Sequence, residues 1–204
     1  MTQPGAKAYD RRYFDRWYRN PRSRVRAQGE LERTAALVVA AAEQVLGRRV
    51  ASVLDIGCGE GRWQPALRKL RPRVKYIGID PSEYAVGRFG PRRNIRLGGI
   101  EDLPSLGLPG PYDVIVCADV LHYLPDAQLA AGLAEIADRL GGMAYLEAYT
   151  SSDRLTGDLN GLRRRSPVRY RRAFRAAGLV PCGLHCYVTS EIAESLGALE
   201  FCAG

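Results

Sequence analysis

The chain has 204 residues, of which 46% are hydrophobic and 25% are charged, and its formal net charge is +8. This length suffices for one domain with a buried core, so we expect a single domain over residues 1–204, and the balanced composition excludes a fibrous or disordered chain. No apolar run reaches ~18 residues and no apolar signal core opens the chain, so we expect a cytoplasmic protein without a membrane span.

The positive charge is concentrated in two segments. Residues 1–33 contain nine basic and four acidic side chains, and residues 151–177 contain eight basic and two acidic ones. If both segments lie at the mouth of a binding site, they favour an anionic partner, either a small molecule or a nucleic acid. The alternative interpretation is that these arginines lie on helix faces exposed to solvent.

The cysteines predict free thiols. Their number, five, is odd, and they are scattered along the chain, which is not the pattern of a disulfide framework. Cys182, His185 and Cys186 are close in sequence, but they fall in a predicted strand over 179–188. Strand alternation would place His185 on the opposite face from both cysteines, so no metal site is expected.

Two helices are predicted in the first 50 residues, which we interpret as an N-terminal helical cap. Tyr9, Tyr13 and Trp17 recur at a spacing of four residues, which places them on one stripe of a helix over 9–18. A second helix is predicted over 29–46, with a glycine directly after it as a typical helix end.

From residue 51 onward, strand and helix patterns alternate. This rhythm is typical of a parallel sheet with helices on both faces and right-handed crossovers. The polar, arginine-rich segment 151–166 has no apolar period and is interpreted as a loop or a lid over the site. Strands are predicted over 51–56, 74–79, 94–97, 112–117, 143–149, 179–188 and 199–203. Helices are predicted over 62–70, 126–140 and 167–178, and a short one is predicted to begin at Ser82. Gly141 and Gly142 are expected to end the helix over 126–140.

The most informative motif is the run VLDIGCGEG at 53–61, which is followed by the strand YIGI and then Asp80. The first strand carries Asp55 near its end and is followed by glycines at alternate positions. Glycine allows a tight turn and a close approach of the backbone to a ligand. An acid at the tip of the second strand can accept hydrogen bonds from both hydroxyls of a ribose. The motif therefore predicts a nucleoside-binding crevice at the carboxyl ends of parallel strands.

The spacing of the glycines distinguishes this motif from a dinucleotide fingerprint. In G-x-G-x-x-G, the third glycine packs the helix onto the strand and the pyrophosphate lies at the helix N-terminus. Here the third glycine comes one residue early, and Asp55 precedes the loop, which suits a cation better than a phosphate. In these features the chain resembles the class I S-adenosylmethionine (SAM)-dependent methyltransferases, whose first motif has the form of residues 55–61 and whose second ends like Ile79-Asp80.

This resemblance covers about residue 52 to the C-terminus and implies an α/β fold. The family has a seven-stranded, mostly parallel, doubly wound Rossmann-like sheet with strand order 3-2-1-4-5-7-6, and it ends on an antiparallel pair. The cofactor would be SAM, with S-adenosylhomocysteine as its product. Residues 1–50 lie outside the resemblance.

The resemblance also implies which residues bind SAM. The loop backbone would meet the methionine end, Asp55 would face the ammonium group and Asp80 would hold the ribose. The alternative for Asp80 is an acid at a helix start, since Pro81 and Ser82 follow it. The full expected set of cofactor residues is Asp55, Gly57, Cys58, Gly59, Gly61, Asp80, Pro81, Ser82, Ile100, Glu101 and Ala118.

The adenine contact departs from the family pattern. Related enzymes often have an acid that binds the exocyclic amine, and Gly99 stands at that position here. We therefore expect the backbone of Ile100, or the side chain of Glu101 or Asp102, to replace it.

The run ADVLHYLP at 118–125 resembles the V-L-H-x-L segment of small-molecule methyltransferases. The resemblance places His122 near the methyl group, where an imidazole could act as a base for a hydroxyl or amine. The alternative is that His122 hydrogen-bonds the backbone and shapes the loop. Aromatic residues expected to contact the acceptor are Tyr13, Trp17, Tyr123 and Tyr149.

The predicted function is methyl transfer from SAM to an oxygen or nitrogen of a small-molecule acceptor, with an anionic acceptor as one expectation from the basic segments. The first alternative is an RNA or protein methyltransferase that docks through the arginine-rich segments. The second alternative is a SAM-binding module without catalysis. The sequence does not indicate the acceptor, the methylated atom or the oligomeric state.

Overall fold

The structure is a computed structural model that describes residues 9–20, 27–154 and 157–196. In these residues one sheet has the strand order β3-β2-β1-β4-β5-β7-β6, which confirms the predicted topology. The strands are β1 (Ser52–Ile56), β2 (Lys75–Asp80), β3 (Ile95–Leu97), β4 (Tyr112–Ala118), β5 (Leu140–Glu147), β6 (Leu179–Gly183) and β7 (Cys186–Thr189). The first five pair in parallel, and β7 pairs antiparallel with both β5 and β6.

Helices flank the sheet and connect its parallel strands. The α-helices are α1 (Arg11–Phe14), α2 (Gln28–Leu46), α3 (Trp63–Leu70), α4 (Glu83–Arg93), α5 (Asp126–Arg139), α6 (Pro167–Ala176) and α7 (Ser190–Glu194). A π-helical turn (Asp15–Arg19) follows α1, and a 3₁₀ turn (Ile100–Asp102) follows β3. None of the described helices combines the length and the hydropathy that crossing a bilayer requires.

The central strands are apolar on both faces because helices cover both faces. On β1, Leu54 and Ile56 face one hydrophobic cluster together with residues of α5 and α6. Val53 faces the other cluster together with residues of α2 and α3. This burial on both sides holds the carboxyl ends of β1, β2 and β4 side by side, where the polar residues of the site lie.

The helix ends follow simple capping chemistry. The Ser82 hydroxyl accepts a hydrogen bond from the backbone N–H of Ala85 at 3.1 Å and begins α4, as its sequence position predicted. Gly47 ends α2 in the left-handed conformation at φ 62°. The Ser166 hydroxyl caps α6, and Pro167 occupies its first turn.

The expectation that Gly141 and Gly142 end a helix is wrong. The helix stops at Arg139, and both glycines belong to β5. A Cβ at Gly142 would lie 2.4 Å from the carbonyl oxygen of Asp113 on β4. Gly142 is therefore required for close strand approach, where the β4–β5 register shifts.

The C-terminal strands also differ from expectation. The predicted strand over 179–188 is two strands, β6 and β7, which are joined by a tight turn at Leu184 and His185 with φ of 51° and 63°. Positive φ is uncommon outside glycine, and leucine gives no signal for it, which explains why the turn was missed. The strands β6 and β7 form the antiparallel pair at the end of the sheet. The second strand of that pair was predicted over 199–203, a segment that lies outside the described residues.

Candidate functional site

A cavity of about 400 Å³ opens at the carboxyl ends of β1, β2 and β4. The polar edge of the sheet forms its floor, the N-terminal segment 9–18 covers one side, and residues 158–162 close another. Because several chain segments meet here, one compact space brings together residues that are far apart in sequence.

The glycine loop after β1 is tight and lies directly against neighbouring side chains. Gly57 and Gly59 have φ of 66° and 54°, which glycine adopts readily. A Cβ at Gly57 would lie 2.3 Å from a methyl carbon of Val120, and one at Gly59 would lie 2.2 Å from the hydroxyl oxygen of Tyr18. At these two positions the loop therefore has no room for a side chain.

Asp55 is buried beneath this loop, with 2% of its surface exposed. The hydroxyl of Tyr76 on β2 donates a hydrogen bond to its Oδ2 at 2.7 Å. Burial raises the pKa of Asp55 to about 7, while the Tyr76 hydrogen bond opposes the increase. A cation bound beside Asp55 would favour its ionised form, so the residue is suited to an ammonium group.

Asp80 connects the glycine loop to the start of α4. Its Oδ2 accepts a hydrogen bond from the backbone N–H of Gly59 at 2.6 Å, and its Oδ1 accepts one from Ser82 at 2.9 Å. Burial raises the pKa of Asp80, and both N–H donors oppose that rise. The helix-start role is therefore real, and the same carboxylate lines the cavity.

Most of the residues expected at the cofactor line the cavity. Three do not: Gly59 is covered by Tyr18, Gly61 packs toward Ile95, and Ser82 donates from its hydroxyl to the carbonyl of Tyr9 at 2.6 Å. Those in the lining are Asp55, Gly57, Cys58, Asp80, Pro81, Ile100, Glu101 and Ala118.

The segment after β3 reduces the alternatives for the adenine contact. The carboxylate of Asp102 accepts a hydrogen bond from the backbone N–H of Gly99 at 2.8 Å, and Asp102 lies outside the cavity lining. Gly99, Ile100 and Glu101 all line the cavity. Asp102 therefore closes the 3₁₀ turn, and Ile100 and Glu101 are left beside the ligand space.

The N-terminal segment is fixed over the mouth of the cavity. Phe14 is almost completely buried, with its ring centroid 4.8 Å from that of Tyr18 and 5.6 Å from that of Tyr84. The guanidinium of Arg19 forms an ion pair with Glu60 of the glycine loop. These contacts attach the cap to both the loop and α4.

Sequence reasoning missed Tyr18, although it found the stripe of Tyr13 and Trp17. The π-helical turn over 15–19 contains more residues per turn than an α-helix, so Trp17 and Tyr18 both line the cavity. Burial raises the pKa of Tyr18 well above its ordinary value, with Asp80 adding to the effect. A period of 3.6 residues cannot indicate this turn.

His122 lies in the wall of the cavity, with 1% of its surface exposed. Its Nδ1 accepts a hydrogen bond from the backbone N–H of Tyr149 at 3.4 Å, and its carbonyl accepts one from Arg163 at 2.8 Å. The rings of Tyr123 and Tyr149 flank it, with centroids at 4.3 and 5.2 Å. With Nδ1 as acceptor, a neutral imidazole carries its proton on Nε2. This arrangement favours loop positioning over proton abstraction.

Two acids in the cavity wall also escaped sequence reasoning. Asp119 follows β4 directly and has φ of 61°, an uncommon conformation outside glycine. Asp158 lies in the segment read as a lid, and its backbone carbonyl accepts a hydrogen bond from the Tyr123 hydroxyl at 2.6 Å. The strand-end position could have indicated Asp119, but no pattern marks Asp158.

None of the described arginines of 151–177 lines the cavity, which favours the alternative interpretation of that basic segment. Arg165 is buried outside the cavity, where it pairs with Asp126 at 2.7 Å, and Arg169 pairs with the same carboxylate. Among the described residues that line the cavity, Arg62 is the one arginine, and it donates to Gln28 at 3.3 Å. The lining therefore carries more acid than base.

The cysteine and histidine run of the last hairpin is not gathered into a cluster. Cys182 is exposed and Cys186 is buried, while the ring of His185 lies near Tyr145 at 5.9 Å. Within the described ranges, no group of three or more metal-ligating side chains is present.

Comparison with known proteins agrees with this geometry. A family model described as "Methyltransferase domain" matches residues 24–198. A ubiquinone biosynthesis O-methyltransferase of Xanthomonas euvesicatoria pv. vesicatoria (strain 85-10) is 32% identical over 101 residues, which are 47% of this chain and 42% of that protein. A ubiquinone biosynthesis O-methyltransferase of Xylella fastidiosa (strain 9a5c) is 36% identical over 81 residues, which are 37% of this chain and 32% of that protein. The matches thus span less than half of these curated relatives.

Solved structures share the fold at low sequence identity. DesVI of Streptomyces venezuelae superposes with a TM-score of 0.60 at 17% identity, covering 79% of this chain and 91% of that one. SAM-bound CalS10 of Micromonospora echinaspora, an amino pentose methyltransferase, superposes with a TM-score of 0.59 at 18% identity. The superposition covers 77% of this chain and 89% of CalS10.

Proposed function

Because the chain belongs to the methyltransferase-domain family, we propose that it transfers a methyl group from SAM to an oxygen or nitrogen atom of a small molecule. The observation that carries the proposal is the pairing of two buried carboxylates, Asp55 and Asp80, at the ends of adjacent strands around a glycine-rich loop.

The residues present fit SAM chemically. Gly57 and Cys58 line the cavity, so the backbone of this part of the loop is available to the methionine end of the ligand, whereas Gly59 is covered by Tyr18. Asp55, with its pKa raised to about 7, would hold the ammonium group, and Asp80 would hold the ribose hydroxyls. Ile100 and Glu101 lie where the adenine is expected, and we assign Cys58, Pro81 and Ala118 to the cofactor wall.

When bound, SAM supplies an activated methyl group whose carbon–sulfur bond breaks as a bond to oxygen or nitrogen forms, leaving S-adenosylhomocysteine and a proton from the acceptor. The protein's own contribution is to orient the acceptor and to exclude water. Tyr13, Trp17, Tyr123 and Tyr149 provide the acceptor wall, and His122 positions the loop that carries Tyr123.

A small acceptor is supported by the way the cavity is enclosed. We assign residues 1–50 to a cap and 151–166 to a lid of one domain, since segments from both line the cavity. The ubiquinone biosynthesis enzymes are O-methyltransferases by name, and CalS10 is an amino pentose methyltransferase, which also favours a small molecule. The arginines of 151–177 do not line the cavity, so no described contact favours RNA or protein as acceptor.

The test is isothermal calorimetry with SAM, S-adenosylhomocysteine and NAD on the purified chain. We expect binding of both sulfur ligands and none of NAD. If neither sulfur ligand releases or absorbs heat at any tested temperature, the proposal fails. Formation of S-adenosylhomocysteine from SAM in the presence of panels of small hydroxyl and amine acceptors then separates an enzyme from a binding module.

A further inference from the structure

The side of the cavity away from the glycine loop has its own chemistry. It is formed by tyrosines of the N-terminal segment, by the loop after β4 and by the segment that carries Asp158. The rings of Tyr9 and Tyr13 meet edge to face with centroids 5.1 Å apart. These residues form a wall of aromatic rings around the space that the proposed function leaves to the acceptor.

Acidic groups accompany these rings. Asp119 and Asp158 line the same part of the cavity, in addition to Asp55, Asp80 and Glu101 at the cofactor end. Asp158 is held beside Tyr123 by the hydrogen bond from the Tyr123 hydroxyl to its backbone carbonyl at 2.6 Å. Among the described lining residues, Arg62 is the one cationic side chain, and it donates a hydrogen bond to Gln28.

Acidic side chains lie close enough to the hydroxyls of this wall to affect them. Burial is the main cause that raises the pKa of Tyr13 and of Tyr123, and Asp158 and Asp119 raise both further. Burial also raises the pKa of Tyr9 to about 12, with contributions from Asp80 and Asp158. The phenols are therefore neutral near pH 7, and the carboxylates supply the charge that a ligand meets.

We propose that the acceptor carries a protonated amino group on an apolar or aromatic body, and that Asp158 binds this ammonium group among the rings of Tyr13 and Tyr123. The inference rests on the proposed function, since it assigns the substrate class of that same site. Aromatic faces attract cations through their quadrupole, and a nearby carboxylate adds direct attraction. An anionic acceptor would meet repulsion from both acids, which opposes the expectation drawn from the basic segments.

The experiment compares three ligands that share a phenyl body and differ in charge. Binding of 2-phenylethylamine, 2-phenylethanol and 3-phenylpropionate is measured by calorimetry or NMR titration on the protein saturated with S-adenosylhomocysteine. We expect the amine to bind about tenfold or more tightly than the other two, since a cation in an aromatic and acidic site gains of this order. The Asp158→Asn variant should lose most of this preference.

Asp138→Asn is the matched control, because it removes one negative charge from the exposed face of α5, outside the cavity. It should keep the full preference for the amine. Thermal denaturation of both variants verifies that each is folded. Tyr123→Phe, which removes the hydroxyl bonded to the Asp158 carbonyl, should reduce the preference by a smaller factor.

Equal or tighter binding of the carboxylate or the alcohol overturns the inference, and so does an unchanged preference in Asp158→Asn. Absence of binding by all three ligands also counts against it. The proposed function fails separately, through absent binding of S-adenosylhomocysteine. In that case the same comparison on the ligand-free protein still decides whether this wall selects an ammonium group.

Discussion

Replacing Asp55 by Asn should remove a pH dependence of the free energy of unfolding and, at the same time, weaken the stabilisation by bound S-adenosylhomocysteine. The carboxyl group of Asp55 is buried, and its pKa is raised from the ordinary value of 3.8 to about 7. Between these values the folded protein holds a proton that the unfolded chain has released. The free energy of unfolding therefore falls as the pH rises through this window, and above about pH 7 the contribution is constant.

The magnitude follows from the two pKa values. At about 1.36 kcal/mol per pKa unit, the change from 3.8 to about 7 corresponds to ~4 kcal/mol over the whole window. Between pH 5 and pH 8, about two thirds of it, or ~3 kcal/mol, should be measurable. An asparagine can still accept the hydrogen bond from Tyr76 but does not titrate, so it removes this pH dependence.

Urea unfolding of the ligand-free protein at several pH values provides the assay. The stability of Asp55→Asn relative to the natural chain should increase by ~3 kcal/mol from pH 5 to pH 8. Asp138→Asn serves as the control, and its curve should run parallel to that of the natural chain. Parallel curves for Asp55→Asn as well would refute the reasoning. Saturating S-adenosylhomocysteine should stabilise the natural chain more than Asp55→Asn, because a bound ammonium group favours the carboxylate.

Three further predictions concern the remaining parts of the site. Asp80→Ala should weaken S-adenosylhomocysteine binding by ~1.5–3 kcal/mol, the typical contribution of hydrogen bonds to a charged group, and calorimetry measures this directly. His122→Asn should keep most of the activity and the same pH–rate profile if the residue positions the loop, whereas loss of a general base would lower kcat by ~10²–10⁴. Deletion of residues 1–20 should leave a cooperatively unfolding sheet but reduce acceptor turnover, and unchanged kcat and KM would show that the segment only packs.

The sheet and its cofactor edge were predictable because their signals are local in sequence. A buried strand such as β1 is a short apolar run, and the alternation of such runs with amphipathic ones specifies parallel pairing. The glycines and the acids at 55 and 80 stand at strand ends, so their chemistry can be interpreted without coordinates.

The acceptor side was only partly predictable, because its residues meet through tertiary contacts. Tyr13 and Trp17 followed from helical spacing, but Tyr18 depends on a π-helical turn that no period indicates. Asp158 enters the site because the Tyr123 hydroxyl holds its carbonyl, a contact over 35 residues. The turn at Leu184 and His185 likewise depends on the pairing of β6 with β7.

The sequence by itself determined the fold class, the glycine loop and the two acids beside it, whereas the strand order was implied by the resemblance to the SAM-dependent methyltransferases. The fold class, the loop and the acids follow from short-range backbone preference and from the burial of strands on both faces. Only the tertiary structure decided the sign of the charge at the acceptor wall. The net charge of the chain is +8. Arg165 nevertheless pairs with Asp126 outside the cavity, and the described cavity lining contains more acidic than basic side chains. Composition counts charges, whereas binding depends on where folding places them.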